Sequence, residues 1–246
     1  MAFDDRSRNT TISPLPPHAV ERAAMIQRWS EASFLHWRVD AAALRPLVHP
    51  ALEVEEFDGT AWVGLIPFRM MMRFPYQPEL PLVSRYPETN VRTYVHDRNG
   101  RSGLWFLSLD VPRSVVVAAA RSMLRLPYAW SRMSTEEIPD GMSYSAERMA
   151  PARGARSDVV VSTARAREDD SELARFLTAR FRLFGRGPLG LFEVDVEHPP
   201  WMLSTAEALS VEDELVAAAS MKISGAPDHV LFSPGVDVRL GFPHRL

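Results

Sequence analysis

Four polar side chains suited to acid–base chemistry or ligand binding occupy every second position of one short segment. They are Glu88, Asn90, Arg92 and Tyr94. An Asn99-Gly100 dipeptide follows them between two apolar runs, which is typical of a tight hairpin turn because both of its central positions need a positive φ. Alternate residues of a strand share one face of the sheet. We therefore expect an acid, an amide, a guanidinium and a phenol side by side on one strand of a hairpin.

The predicted turn also sets which residues of the second strand face this polar row. With the Asn-Gly pair at its centre, Tyr94 lies opposite Trp105, and Leu107 and Leu109 follow on the same face. The opposite face carries mostly apolar residues, namely Val91, Thr93, Val95, Leu104 and Phe106. A solvated face rarely holds an indole and two leucines, and a plain core rarely holds a glutamate and an arginine. The mixed face is therefore predicted to line a ligand cavity.

The remaining segments are predicted to supply the strands and helices that position this hairpin. Strands are expected at 30–39, 52–57, 61–70, 143–149, 158–166, 189–197 and 230–240, the last one broken at 234–235. Helices are expected at 18–28, 41–48, 115–125, 171–181 and 211–221. The proline-rich stretch 74–87 is either a lid over the cavity or a plain connector.

No linker, internal repeat or low-complexity segment divides the chain. Residues 1–17 are predicted to form a flexible N-terminal tail, and residues 18–246 a single domain. The expected fold class is α+β, in which antiparallel strands curl into a β-barrel or cone with a few flanking helices.

Composition argues against several classes of function. A formal net charge of −3 over 246 residues provides no basic stripe for nucleic acid. The N-terminus lacks an apolar signal core, and no window approaches the roughly 18 apolar residues of a membrane span. We therefore expect a cytoplasmic protein without membrane contact. The chain has no cysteine, and its seven histidines form no close pair, so neither a metal nor an organic cofactor is expected.

One dinucleotide-binding pattern is rejected on its context. Residues 185–190, GRGPLG, match the spacing of that glycine motif. The motif requires a strand before it and a helix after it, whereas the following LFEVDVEH alternates like a strand. A hairpin turn is the predicted structure here.

Several short sequences resemble a known family. They are FLHWRVD (34–40), FDGTAWVGLIPF (57–68), PETNVRTYV (87–95), HPPW (198–201) and SPGVDVR (233–239). Together they resemble the YqjF-like family of unknown function, within the acetoacetate decarboxylase-like superfamily, and the likeness spans residues 28–239. The resemblance implies a barrel or cone of the acetoacetate decarboxylase-like type and a small-molecule ligand. It is also compatible with a homo-oligomer, since relatives are often oligomeric.

The chain departs from the decarboxylases at one decisive position. In those enzymes a lysine that follows a proline after the hairpin's helix forms a Schiff base with the keto acid. Here Pro127 is followed by Tyr128 and Ala129, and the only lysine of the chain is Lys222. Arginine stays protonated and cannot act as a nucleophilic amine. Imine chemistry at the usual position is therefore excluded.

The resemblance and the hairpin together suggest a role for each candidate residue. The predicted catalytic residues are Glu88, Arg92 and Tyr128, and the predicted substrate-binding residues are Tyr94, Trp105 and Arg121. Glu88 would be the general acid or base, the two arginines would anchor a carboxylate or enolate, and Tyr128 would orient a carbonyl. Simpler roles stay open: Arg92 could pair internally with Glu88 or Asp237, Arg121 could brace the barrel, and Trp105 could be core.

Three functional classes follow from these observations. The first is a cofactor-independent enzyme that binds a carboxylate, keto acid or polyketide-like carbonyl compound and uses acid–base chemistry of the lyase, isomerase, hydrolase or cyclisation type. The second is a non-catalytic small-ligand-binding protein. The third is a scaffold whose barrel is filled by its own side chains.

Overall fold

The computed structural model describes residues 12–246, which form fifteen β-strands and four short α-helices. The strands are β1 (Met25–Val39), β2 (Leu52–Val54), β3 (Glu56–Phe57), β4 (Thr60–Arg73), β5 (Arg85–Asp97), β6 (Ser102–Val111), β7 (Tyr128–Ile138), β8 (Gly141–Ala150), β9 (Arg156–Ser162), β10 (Arg182–Gly187), β11 (Gly190–Glu197), β12 (Ser204–Thr205), β13 (Glu207–Asp213), β14 (His229–Leu240) and β15 (His244–Arg245). The helices are α1 (Ala41–Leu44), α2 (Ser114–Met123), α3 (Glu172–Thr178) and α4 (Leu215–Ala218).

Most of the predicted tail, residues 1–11 of 1–17, lies outside the described residues. Within 12–246, no helix combines the length and apolar character needed to cross a membrane.

Seven strands close into a ring that encloses the functional region. Around the ring, β1 pairs with β4, β4 with β5, β5 with β6, β6 with β10, β10 with β11, β11 with β14, and β14 with β1. Only the contact between β6 and β10 is parallel, so the predicted antiparallel curvature holds around most of the ring. The α+β prediction of strands curled into a cone with few helices is thus confirmed.

A four-strand arm covers part of the outer surface of the ring. It leaves the ring at β6 and runs through β7, β8, β9 and β13. Residues 32–37 of β1 are buried on both faces, with Phe34 pointing into one apolar cluster and Leu35 and Trp37 packing with the arm. Burying such a side chain contributes about 1.5–3 kcal/mol to the stability of the folded protein. The arm therefore stabilises the position of β1, whose other face lines the interior of the ring.

The hairpin that carries the polar row turns differently from the prediction. The Gly100 amide donates to the Asp97 carbonyl at 2.9 Å, and the Asp97 amide donates to the Arg101 carbonyl at 3.2 Å. Gly100 has a φ of +74°, whereas Asn99 is not left-handed. The loop therefore contains three residues rather than two, a common alternative for hairpins. Asp97 favours it, because its Oδ1 accepts from the Asn99 and Arg101 amides at 2.9 Å each.

The wider loop shifts the strand pairing by one residue near the turn. Tyr94 pairs with Leu104, and Thr93 pairs with Trp105, so the predicted pairing of Tyr94 with Trp105 is wrong. A bulge that leaves Leu107 unpaired restores the predicted register further on, where Asn90 pairs with Leu109. Leu104 and Phe106 consequently join the polar face, and the indole leaves it.

Other differences arise where distant strands pair with a segment of ambiguous pattern. The helix predicted at 18–28 is absent, because residues from Met25 onward pair with β14. Of the helix predicted at 211–221, residues 211–213 belong to β13 and only the four residues of α4 are α-helical. Strand β14 is not broken, since Gly235, with a φ of +128°, continues the pairing opposite Ser30. The long strand β7 was not predicted, whereas residues 185–190 do form a hairpin turn as expected.

Helix α3 supports the ring interior and is capped by Ser171, the first residue of the helix predicted at 171–181. The Ser171 hydroxyl accepts a hydrogen bond from the Ala174 amide at 3.1 Å. Replacing Ser171 with alanine should lower the free energy of unfolding by about 1 kcal/mol, because one terminal amide loses its partner. Urea denaturation measures the change. Ser122, whose hydroxyl bonds within α2 to the Ala118 carbonyl, is the control, and a Ser122→Ala variant as destabilised as Ser171→Ala would contradict the capping role.

Candidate active site

A partly enclosed cavity of about 80 Å³ lies inside the seven-strand ring. Every strand of the ring contributes to its wall, together with Tyr128 at the start of β7. The apolar part of the wall includes Trp29, Ala32, Phe34, Ile66, Phe68, Met70, Leu104, Phe106, Leu109, Leu126, Leu183, Val196, Trp201 and Leu240. A water molecule needs roughly 10–15 Å³ of such volume, so the cavity has room for several waters or a small organic molecule.

Three neighbouring polar residues of β5 point into this cavity. Glu88, Asn90 and Arg92 all line it, and each is no more than 5% exposed. Glu88 Oε2, Asn90 Oδ1 and Arg92 Nε find no hydrogen-bond partner among residues 12–246. Buried polar atoms are nearly always paired in folded proteins. Three unpaired polar atoms on one face of one strand therefore mark a place where a polar ligand can bind.

Arg92 is a buried cation without a carboxylate partner among the described residues. Its Nη2 donates to the Leu177 carbonyl at 3.0 Å, and its guanidinium lies 5.6 Å from the Phe34 ring centre and 5.7 Å from the Tyr94 ring centre. The alternative ion pair with Asp237 is not formed, since that carboxylate pairs with Arg28 at 3.1 Å. Aromatic faces compensate a buried cation only partly. An anionic ligand would supply the missing charge.

The surroundings of Glu88 favour the protonated form of its carboxyl at neutral pH. Burial is the main cause that raises its pKa to about 8, and the negative charge of Asp110 raises it further. That charge is fixed by Arg148, whose Nε and Nη2 donate to the two Asp110 oxygens at 2.8 and 2.6 Å. Ser131 also donates to Asp110, at 2.6 Å. A protonated carboxyl in an apolar cavity can donate a hydrogen bond or a proton to a bound carbonyl.

Tyr128 provides a second neutral donor on the wall. Burial, and then the nearby Glu88 and Tyr86, raise the pKa of its phenol well above the ordinary value. Its hydroxyl therefore stays protonated at every physiological pH. Arg121 is exposed on α2 and donates from Nη1 to the Tyr128 backbone carbonyl at 2.8 Å. Arg121 thus braces Tyr128 from outside and does not line the cavity.

The other two predicted substrate-binding residues also lie off the cavity wall. Tyr94 is fully buried behind Arg92, and its hydroxyl lies 2.7 Å from His36 Nε2. Trp105 stands on the outer side of the ring and donates from Nε1 to the Leu47 carbonyl at 3.0 Å. The shifted hairpin register explains its position. Of the six predicted site residues, the structure brings Glu88, Arg92 and Tyr128 together in the cavity.

Sequence reasoning missed several residues of the wall. Trp29 and Trp201 stack with ring centres 6.1 Å apart, and Phe34 meets Trp201 edge-on at 5.1 Å. Trp201 ends the HPPW sequence, in which no local pattern predicts a place on the cavity wall. Gln27 also lines the cavity and accepts from Trp29 Nε1 at 2.7 Å. No sequence signal identified this β1 face, because the pairing of β1 with β4 shifts register between Ser30 and Leu35.

Two further expectations concern what surrounds the site. No residue of 74–87 lines the cavity, and residues 85–87 already belong to β5. Among residues 12–246, no group of three or more potential metal-ligating side chains is arranged to hold a metal ion. Lys222 is exposed in the loop after α4 and does not belong to the cavity wall.

Comparisons with known proteins agree with this architecture. Residues 26–237 match the DUF2071 family model, described as an uncharacterized conserved protein. The chain is 36% identical over 187 residues to the uncharacterized protein YqjF of Bacillus subtilis strain 168, covering 75% of this chain and 76% of that protein.

Solved structures extend the comparison to the fold. The acetoacetate decarboxylase of Legionella pneumophila has a TM-score of 0.65 and 14% identity, over 94% of this chain and 92% of that chain. An acetoacetate decarboxylase-like enzyme of Sphingomonas wittichii RW1 has a TM-score of 0.63 and 16% identity, over 94% and 95%. At these identities the likeness shows the fold alone. The chain belongs to the DUF2071 family and is a YqjF-like protein with the acetoacetate decarboxylase-like fold.

Proposed function

We propose that this protein binds a small carboxylate with a neighbouring carbonyl group, such as a keto acid, in the ring cavity and acts on it by acid–base chemistry. The observation that carries the proposal is the buried Arg92 guanidinium, which faces the cavity without a carboxylate partner among residues 12–246. The name of the Legionella relative, an acetoacetate decarboxylase, indicates a keto acid as the substrate of that enzyme and supports the same ligand class here.

Each polar residue has a distinct part in the proposed reaction. Arg92 would bind the carboxylate by charge-assisted hydrogen bonds, and Tyr128 would donate to the carbonyl oxygen. The ionised form of Glu88 would remove a proton from the carbon next to the carbonyl. The electrons of the broken C–H bond would form an enolate, whose negative charge is stabilised by Arg92 and Tyr128. Protonated Glu88 would then return its proton to the enolate or to a product of it.

The size of the cavity narrows the ligand class. A volume of about 80 Å³ suits a molecule of a few non-hydrogen atoms better than an extended polyketide-like chain. The apolar walls exclude water around the charged groups and so strengthen their interactions with the ligand. No lysine lies on these walls, so the proposed reaction proceeds without an imine.

Deuterium exchange tests catalysis without knowledge of the natural substrate. Pyruvate or 2-oxobutyrate in D₂O should lose the NMR signals of the protons next to the carbonyl when the protein is added. Glu88→Gln should slow this exchange at least tenfold, because general acid–base groups typically contribute 10²–10⁴ in rate. Glu137→Gln, an exposed acid on β7, is the matched control and should exchange at the wild-type rate.

Thermal denaturation with the same acids separates the competing functions, because a specific ligand raises the melting temperature by mass action. Stabilisation together with exchange supports the enzyme. Stabilisation without any exchange would instead establish a non-catalytic binding protein. Neither effect with any small keto acid or carboxylate would reject the proposal.

A further inference from the structure

A second depression lies on the outer surface of the ring, directly behind one wall of the cavity. We call it the outer groove, and its volume is about 460 Å³. It is lined by Leu47, Trp105, Phe106, Leu107, Arg125, Leu126, Pro127, Phe184, Gly185, Arg186 and Ala219. Trp105, the indole that left the cavity face, forms part of its wall.

Two residues border both the outer groove and the cavity. They are Phe106 and Leu126, so the two spaces adjoin each other at this point. Two other surface depressions, around 19–22 and around 45–50, share no lining residue with the cavity. Among these depressions, the outer groove is therefore the one that adjoins the proposed active site.

One of these two residues lies in a strand, and the other lies in a short loop. Phe106 belongs to β6, but Leu126 lies in the segment between α2 and β7. Arg125 just before it has a φ of +52°, a left-handed conformation that is unfavourable for a residue with a side chain. This turn directs Leu126 inward and leaves Arg125 exposed. The segment then continues directly to Tyr128 on the cavity wall.

The groove carries a positive charge of its own. Its only titratable lining residues are Arg125 and Arg186, both exposed, and neither forms an ion pair with a residue of 12–246. Within the described part of the chain, no acidic residue lines it. A concave surface with charges of one sign raises the local concentration of oppositely charged molecules and their association rate. The positive charge of the groove attracts a ligand carboxylate of the kind that is proposed to bind Arg92.

We propose that the outer groove is the entrance through which a small organic anion reaches the cavity. Arg125 and Arg186 attract the anion, and Phe106 and Leu126 turn aside to admit it. The inference rests on the proposed function, because it requires that the cavity binds a carboxylate. It adds the route, the two steering charges and the two side chains that control passage.

Binding kinetics test this route. Pyruvate binding is followed by stopped-flow fluorescence, with Trp29 and Trp201 on the cavity wall as reporters. Replacing Arg125 and Arg186 together with glutamine should slow association roughly tenfold at low ionic strength and leave dissociation unchanged. The effect should shrink with added salt, since exposed charges are screened. The control replaces Arg153 and Arg165, two exposed arginines in the loops before and after β9, with glutamine and should bind like the wild type.

Leu107→Phe tests the route independently, because Leu107 lines the outer groove but not the cavity. A larger side chain at a passage should slow association and dissociation by the same factor, about tenfold, and leave the dissociation constant within twofold. A change in ligand contacts alone would alter the dissociation constant instead. If pyruvate binds but none of these variants changes its rates, the entrance lies elsewhere and the proposed function stands. If wild-type protein binds neither pyruvate nor 2-oxobutyrate, both proposals are rejected.

Discussion

Replacing Arg92 with methionine should weaken carboxylate binding about a thousandfold and at the same time stabilise the ligand-free protein. Loss of one partner of a buried charge pair costs about 2–5 kcal/mol of binding energy. In the ligand-free protein the guanidinium has one bond, to the Leu177 carbonyl, and no carboxylate among residues 12–246. Methionine fills a similar volume without a charge to desolvate, so the free energy of unfolding should rise by about 1–3 kcal/mol.

The opposite signs of these two effects distinguish a functional arginine from a structural one. Arg148 is the matched control, because it is equally buried but bonds both oxygens of Asp110. Arg148→Met leaves that carboxylate unpaired and should lower the free energy of unfolding by about 3–5 kcal/mol. Urea denaturation gives the stabilities, and isothermal titration with pyruvate gives the affinities. If Arg92→Met were as destabilising as Arg148→Met, Arg92 would be a structural residue and the anion site would be wrongly placed.

The polar face of the hairpin was predictable from the sequence, whereas its partner strand was not. Glu88, Asn90 and Arg92 share a face because alternation within a strand does not depend on what pairs with it. The assignment of Trp105 depended on the loop length, because one extra loop residue reverses the side chains of the partner strand between the turn and the bulge at Leu107. Asp97 supplied a physical reason for the wider loop, since aspartate side chains bond to amides that follow them. The Asn-Gly pair, taken alone, predicts the shorter loop of two residues.

The cavity itself depended on contacts that no local pattern reveals. The ring closes where β6 pairs in parallel with β10, about eighty residues later in the chain. The opposite wall comes from β1 and from Trp201, where the Trp29 and Trp201 rings stack although they are far apart in the sequence. Tyr128 was found through the family resemblance, because the sequence places it where the decarboxylases carry their lysine. Local sequence preferences thus determine where strands form, whereas the pairing of distant strands determines which of their faces line the cavity.

The pH dependence of stability should reveal Glu88 directly. The pKa of Glu88 is about 8 in the folded protein and takes the ordinary value of 4.5 in the unfolded chain. Below pH 4.5 both states hold the proton, and the group has no effect on stability. Between the two values the unfolded state releases its proton while the folded state retains it, so stability falls as the pH rises. Above pH 8 both states are ionised and the loss levels off.

Glu88→Gln should remove this dependence, because glutamine resembles the protonated acid at every pH. Each pKa unit corresponds to 1.36 kcal/mol, so the variant should gain on the order of 4 kcal/mol over wild type between pH 5 and pH 8. Urea denaturation of both proteins at pH 5, 6, 7, 8 and 9 measures the difference, in which all other titrating groups cancel. Glu137→Gln, which changes an exposed acid, should follow the wild-type curve. Parallel curves for wild type and Glu88→Gln would mean that Glu88 ionises normally, and the raised pKa of its carboxyl in the folded protein would be refuted.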